Sequence, residues 1–508
     1  MLRSRLASWG AVLGWSTLFA IAYGPSPLFT SNQNQYFLHG LARAGWGYLQ
    51  HDWLANTLDP TPVFSALVAW SYRLTHWLPI YYLLFLALAG IYLYSALDIA
   101  RTLSGASWKP VTSRLFLAGF VAAHAAVLRA VLVRVFDPRW AYLLDGGVAG
   151  QRLLGDVFQP SAFGVFLLLS TALFLRRRYL LSALSIVVAA TFHPTYLLSG
   201  ALLTLAGMAL LGVKEHRRLL AVKTGALTLL GVLPVTVYTF TVFRPTSAQA
   251  VARARELLVT FRIPHHALPA EWFDVTVPVK MALIVTALWL ARRERIAWLL
   301  AIPFAVGLTL TLAQVITHDD ALALLFPWRI SAWLVPLSLT LVLARLAVWL
   351  TPRLSPAYSL PLISGVIGVI ALGGALIFAV NLRQKMNSPA QLLFDFVRQN
   401  AAPGQVYLIP LDMQDFRLET GVPAYIEFKS IPYRDVDVLE WYRRVSMAGK
   451  VYRAEISRYA CETLAMLRAE GVTHVVLPYD HAARACPHLE RVFIKYEGYE
   501  VFVLREDQ

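Results

Sequence analysis

Twelve stretches of about 14–28 mostly apolar residues recur between Trp9 and Val380. Each approaches the ~20 residues that an α-helix needs to cross the hydrocarbon of a bilayer. Lipid offers no water to an unpaired backbone, so such runs must form helices that satisfy their own N–H and C=O groups. The chain therefore reads as a polytopic transmembrane helix bundle. Its charged residues make up 15% of the sequence and its apolar residues 57%, where a soluble domain carries about 25% charged. A soluble enzyme, a disordered chain and a coiled coil are excluded. Two cysteines in 508 residues also exclude a disulfide scaffold or a cysteine-built zinc site.

Charge divides the chain. Residues 1–381 hold 29 Lys and Arg against 13 Asp and Glu, a net +16, whereas the last 127 residues hold 16 against 17, a net −1. The basic excess thus belongs to the membrane part, where Lys and Arg in short loops set orientation. No basic stripe with interleaved aromatics occurs, so no nucleic-acid partner is expected.

Arg3 and Arg5 precede the first apolar run, Trp9–Tyr23, and Ala20-Ile21-Ala22 resembles a signal-peptidase site. The run is expected to remain as an uncleaved anchor, which puts the polar first loop, 25–61, outside. The clusters Arg176-Arg177-Arg178, Lys214–Lys223, Arg292–Arg295 and Arg345–Arg353 read as cytoplasmic turns. They place Phe192-His193-Pro194-Thr195, residues 244–277 and His318-Asp319-Asp320 on the outer side. With Arg101–Arg114 also cytoplasmic, residues 62–97 supply a single crossing although they have room for two short helices. One apolar run is then interfacial, re-entrant or split, for 11 or 13 crossings, and the C-terminal part lies outside.

From Ser388 the pattern becomes that of a small soluble α/β domain. The expected division is 1–384 for the membrane domain and 385–508 for the α/β domain. Pro389–Asn400, Asp435–Met447 and Cys461–Glu470 read as helices. Val406–Ile409 and the segment after Gly471 up to Pro478 read as strands, and Val492–Lys495 with Tyr499–Leu504 as a hairpin. Cys461 and Cys486 are either a disulfide of an exported domain or two small buried hydrophobes.

Polar residues beside apolar helices are costly to bury unpaired, so they are the candidates for chemistry. Asp52 and Asp59 are the only carboxylates in the first 97 residues. A carboxylate beside an apolar surface can act as a base or hold a metal, while Asp59 before Pro60 also fits a helix cap. Asp145-Gly146-Gly147, Arg152, Asp156 and Phe158-Gln159-Pro160-Ser161 form a second group, in which Arg152 suits a phosphate. Its bland alternative is a plain turn with a solvated arginine. His193 closes a helix at the outer boundary, and Arg329 sits near the outer end of another, where a lipid phosphate is a natural partner. His265, His266 and Glu271 match no strong metal motif. His318-Asp319-Asp320 reads as a solvated loop before it reads as a cation site.

In layout the chain resembles the GT-C superfamily of polyprenyl-phosphate-sugar glycosyltransferases. The shared features are a first helix, a long outer loop with acidic residues, many short helices and a terminal outer α/β domain. The strings Ser31-Asn32-Gln33-Asn34-Gln35-Tyr36, Asp59-Pro60-Thr61-Pro62, Phe158-Gln159-Pro160-Ser161 and Phe192-His193-Pro194-Thr195-Tyr196 are similar to those of a bacterial membrane protein family of this type. So are Phe416-Arg417, Phe428-Lys429-Ser430 and Glu440-Trp441-Tyr442-Arg443-Arg444. The resemblance implies hexosyl or pentosyl transfer from a lipid-linked sugar donor at the outer face of the cytoplasmic membrane. An acid of the first outer loop would activate the acceptor, and basic residues would hold the lipid phosphate. The acidic pair usual just after the first helix is replaced here by Asn32–Gln35, and amides are not bases at neutral pH.

On this reading Asp52 is the general base and Asp59 an alternate base or ligand. Arg152 and Arg329 hold the donor phosphate, Gln159 and His193 line the sugar pocket, and Asn32 and Gln35 contact substrate. The cofactor is unknown, with a divalent cation left open. The partners are membrane lipid and the lipid-linked donor, with a protein partner left open. The alternative is a non-catalytic membrane subunit on the same scaffold, binding lipid or a partner complex. A transporter is disfavoured because its polar groups gather at the midplane.

Overall fold

In a computed structural model the chain is described at residues 2–354, 356–494 and 498–505. It is mainly helical, with a small C-terminal sheet. Among the described residues six helices are long and apolar enough to cross a membrane, or seven if the bent pair Pro110–Ala123 and Ala126–Val135 counts as one span. Four shorter apolar helices, Gly10–Tyr23, Pro160–Leu175, Tyr179–Phe192 and Thr276–Ala291, account for much of the difference from the 11 or 13 crossings expected. Residues 62–97 do hold two helices, Pro62–Thr75 and Ile80–Ser104, of which only the second qualifies as a span. The length and composition of these helices are those of a multi-pass membrane protein.

The chain divides into two units, and neither is contiguous. The first is 1–25, 81–239 and 258–379; the second is 26–80, 240–257 and 380–508. The expected boundary at 384/385 falls close to the last crossing point. The first polar loop, 25–61, however, falls almost wholly in the unit of the C-terminal segment.

In the first unit the basic turns assigned to one side of the membrane do meet. Arg176 pairs with Asp98, Arg345 with Glu294, and Arg295 Nε with Glu215 Oε1 at 2.7 Å. Thr112 and Thr351 join hydroxyls at 2.8 Å. Helix ends drawn from five loops are thus tied together, as the charge pattern requires.

The second unit contains a four-stranded sheet of β1 (Tyr407–Leu408), β2 (His474–Pro478), β3 (Leu489–Ile494) and β4 (Tyr499–Leu504), in the order β1-β2-β4-β3. β1 and β2 are parallel, which demands a crossover. Helices Asp435–Tyr452 and Ser457–Ala469 lie in that connection. β3 and β4 form the expected hairpin, beginning three residues earlier than expected, at Leu489. Its Lys495 lies outside the described residues. Helix Pro389–Gln399 starts on Ser388, whose Oγ accepts from the Ala390 N–H at 3.3 Å, with Pro389 in the first turn. Its inner face, Leu393, Phe394 and Val397, packs on Tyr407, Phe416, Val476 and Val501. Cys461 and Cys486 form a disulfide.

Candidate functional site

Of the proposed membrane-side ligands, His193 and Arg329 flank Tyr196 in the first unit. The Tyr196 hydroxyl donates to the Ser161 carbonyl at 2.7 Å and lies 3.4 Å from that of Arg152. Gly164 is packed so closely that a Cβ there would overlap the Tyr196 phenol. Phe163 and Phe192 stack with centroids 3.7 Å apart, locking the short helix Pro160–Gly164 to the end of Tyr179–Phe192. That stack sets the two segments carrying Gln159 and His193 side by side. His193 is fixed further by Thr195, whose hydroxyl bonds its Nδ1, and its ring lies 5.7 Å from that of Tyr196.

Arg329 completes the group. Its guanidinium sits 5.7 Å over the Tyr196 ring and 5.9 Å over Phe326, and its charge acts on His193. Half-buried, it has no ion-pair or side-chain hydrogen-bond partner among the described residues. Arg152 is held differently: 3.9 Å over the Tyr142 ring, with Nη1 3.2 Å from Asp156 Oδ1. Gln159 is buried, and its Oε1 has no hydrogen-bond partner among the described residues. It forms no side-chain cap on Pro160–Gly164, so a capping role is set aside. Asp156, a quarter exposed at its side chain, is the accessible carboxylate of this cluster.

The paired glycines serve packing. A Cβ on Gly147 would run into Ser331 and the Ala332 backbone. The Ser331 hydroxyl accepts from the Val148 N–H at 2.9 Å, and Lys280 Nζ donates to the Gly147 carbonyl at 2.8 Å. Asp145 lies 3.9 Å from Arg129, whose guanidinium also donates to the carbonyls of His124, at 2.9 Å, and Tyr23. His266 Nδ1 lies 2.7 Å from the Ala149 carbonyl. Asp319 caps a short helix, accepting from the Ala321 N–H at 2.7 Å. Among the described residues no three His, Cys, Asp or Glu side chains are placed to hold a metal ion.

The acidic residues of the first loop, in the second unit, are engaged elsewhere. Asp52 is fully buried. Its Oδ1 accepts from the N–H groups of Leu54 at 2.9 Å and Ala55 at 3.2 Å. Its Oδ2 accepts from Arg417 Nε at 2.7 Å and the Ala424 N–H at 3.0 Å. A carboxylate with four donors and no solvent contact has no lone pair to offer an acceptor hydroxyl, so Asp52 is corrected from general base to structural anchor. Arg417, itself buried, also donates to the Ala424 carbonyl at 2.9 Å and stands 3.6 Å from Glu427. Asp59 fares similarly: it is buried, 2.9 Å from Arg43 Nη2, and accepts from the Thr61 N–H at 2.9 Å. That bond closes the turn before helix Pro62–Thr75, whose N-cap residue is Thr61 and which has no side-chain cap.

Asn32 precedes helix Gln33–Ala44 without a side-chain cap, and Gln35 Nε2 donates to the Tyr433 hydroxyl at 2.7 Å. Neighbouring His39 has its pKa lowered by burial, against the pull of Asp59. The residue that sequence reasoning passed over is Arg417. Its signal was the Phe416-Arg417 string, an arginine beside a core phenylalanine in an otherwise apolar-faced segment.

A model of a domain of unknown function (DUF6798) matches residues 389–448. No curated protein matches the chain. The matched segment carries Arg417, Glu427, Arg443 and Arg444, that is, the partners of the buried first loop and the arginines of helix Asp435–Tyr452.

Proposed function

We propose that the protein is a GT-C-type membrane glycosyltransferase, taking its sugar from a polyprenyl-phosphate donor on the outer face of the cytoplasmic membrane. The observation that carries this reading is Arg329: a half-buried guanidinium at the end of an apolar helix, beside His193 and Tyr196, with no carboxylate of its own. A planar fork of donors in that position matches a phosphate through two parallel bonds. Arg152 supplies a second cation, and the free amide oxygen of buried Gln159 an acceptor for a sugar hydroxyl.

In the reaction an acceptor hydroxyl oxygen attacks the anomeric carbon. The bond from that carbon to the lipid phosphate breaks, and the phosphate leaves with the electron pair onto Arg329 and Arg152. The hydroxyl proton passes to Asp156, which takes the base role from Asp52. Convergence of the basic turns away from this cluster supports an outer location for the site. The Cys461–Cys486 bond suits an oxidising compartment and so an extracytoplasmic C-terminal segment.

The test is transfer of labelled sugar from polyprenyl-phosphate hexoses and pentoses by the protein in nanodiscs. Wild type transfers label, and Asp156→Asn falls by about 100-fold or more, the scale of general-base loss. Full activity of Asp156→Asn removes it as base. One observation favours the non-catalytic alternative: both first-loop carboxylates are consumed by internal ion pairs. Under it, wild type binds the lipid donor but transfers no sugar.

A further inference from the structure

The second unit holds a cavity of about 420 Å³ whose lining includes Ser31, Gln384, Gln391, Asp412, Gln414 and Asp415. Hydroxyls, carboxamides and carboxylates share its walls with Pro27, Phe29 and Phe394. Gln414 Oε1 is buried and has no hydrogen-bond partner among the described residues. An acceptor left so is costly unless something donates to it. The Asp415 carboxylate, less than a third exposed, lies 3.9 Å from the Lys385 ammonium, too far for a hydrogen bond. Although Asp415 opens helix Phe416–Thr420, it makes no side-chain cap bond there.

The charge on the wall selects the ligand class. Lys385 is the lysine of the cavity, and its ammonium is already committed to the Leu28 carbonyl at 2.6 Å, the Phe29 carbonyl at 3.3 Å and Glu419 at 2.8 Å. What remains available is acceptor-rich and acidic, which repels a phosphate or carboxylate ligand. A metal ion would need more carboxylates than these two. A ligand bearing many hydroxyls, each both donor and acceptor, matches the mixture of free acceptors and amide N–H groups.

We propose that this cavity binds a neutral carbohydrate, the glycan part of the acceptor. The acceptor role rests on the glycosyltransferase reading, whereas sugar binding here does not. Burial lifts the Asp415 carboxyl above the ordinary range, against the pull of Lys385, which suits a group accepting from neutral hydroxyls.

The experiment is saturation-transfer NMR on the full chain in nanodiscs, with methyl glycosides of common hexoses and pentoses and with inorganic phosphate as the anionic probe. Saturable binding of at least one glycoside is expected, weakened tenfold or more by Gln414→Ala and by Asp415→Asn. The Arg329→Ala protein, impaired toward the lipid donor, keeps this binding, so the two readings fail separately. Unchanged thermal unfolding of the two variants ties the loss to the cavity. No glycoside binding by wild type, binding of phosphate alone, or binding indifferent to both substitutions overturns the proposal.

Discussion

Arg417 Nε donates to Asp52 Oδ2 at 2.7 Å across 365 residues of sequence, with both side chains almost wholly out of solvent. The pair binds the first polar loop, 25–61, to the C-terminal segment within one unit. Removing one member of such a pair leaves an uncompensated buried charge and costs about 3–5 kcal/mol. Asp52→Ala and Arg417→Ala are each expected to raise hydrogen exchange at 46–55 and at 417–427 by that scale. The double variant should cost less than the sum of the two, since each single change strands the other's charge. Additive costs contradict a shared anchor.

The same contact is tight at the backbone. Tyr48 N–H donates to the Gly421 carbonyl at 2.7 Å, and Trp46 Nε1 to that of Leu418 at 3.0 Å. Gly47, at φ +55°, has no room for a Cβ against the Gly421 backbone. Gly47→Ala combines a left-handed conformation with that overlap and is expected to cost more than about 1 kcal/mol. The measurement is protease resistance of the 26–80 segment; an unchanged cleavage rate contradicts the packing.

Stability of the second unit falls in acid, for reasons that separate by pH. Burial depresses His474 from 6.5 to about 4, where it stacks on Tyr407. Its neutral form is the folded one, so its contribution is full above 6.5 and is lost as pH falls toward 4. Glu440 and Glu470 are lowered from 4.5 mainly by hydrogen bonds from Arg443. Their contribution is present above 4.5 and is lost as pH falls through their lowered values. Melting temperature followed against pH should therefore drop in two stages. His474→Gln should remove the upper stage and leave the lower one.

The Cys461–Cys486 link closes a loop of 25 residues, a constraint on the unfolded chain worth about 3 kcal/mol. Reduction, or Cys461→Ser with Cys486→Ser, should lower the melting temperature of this unit without altering the first. A melting curve identical under reducing conditions contradicts the bond.

Much of this architecture was legible in the sequence because its signals are local. Apolar runs and basic turns announced the membrane helices, and Ser388-Pro389 announced the start of the C-terminal helix. The C-terminal hairpin followed from residue alternation. What escaped was long-range pairing. Asp52 read as a base because two of its donors, Arg417 and the Ala424 N–H, lie more than 360 residues away. Nothing in a local pattern distinguishes a buried, satisfied carboxylate from a catalytic one. Pro62–Thr75, one of the two short helices for which residues 62–97 have room, packs in the unit built from loop and C-terminal residues. Within the first unit His193 and Arg329 lie beside the Tyr196 ring, while the Arg152 side chain turns to Tyr142 and Asp156.

The most direct measurement is equilibrium binding of a polyprenyl-phosphate-linked sugar to the protein in nanodiscs, for wild type, Arg329→Ala and Arg329→Lys. Saturable binding is expected, weakened at least tenfold by alanine and only partly restored by lysine, which lacks the two-pronged donor geometry. Equal affinity of all three proteins, or no binding by wild type, contradicts the assignment of Arg329 to the lipid phosphate.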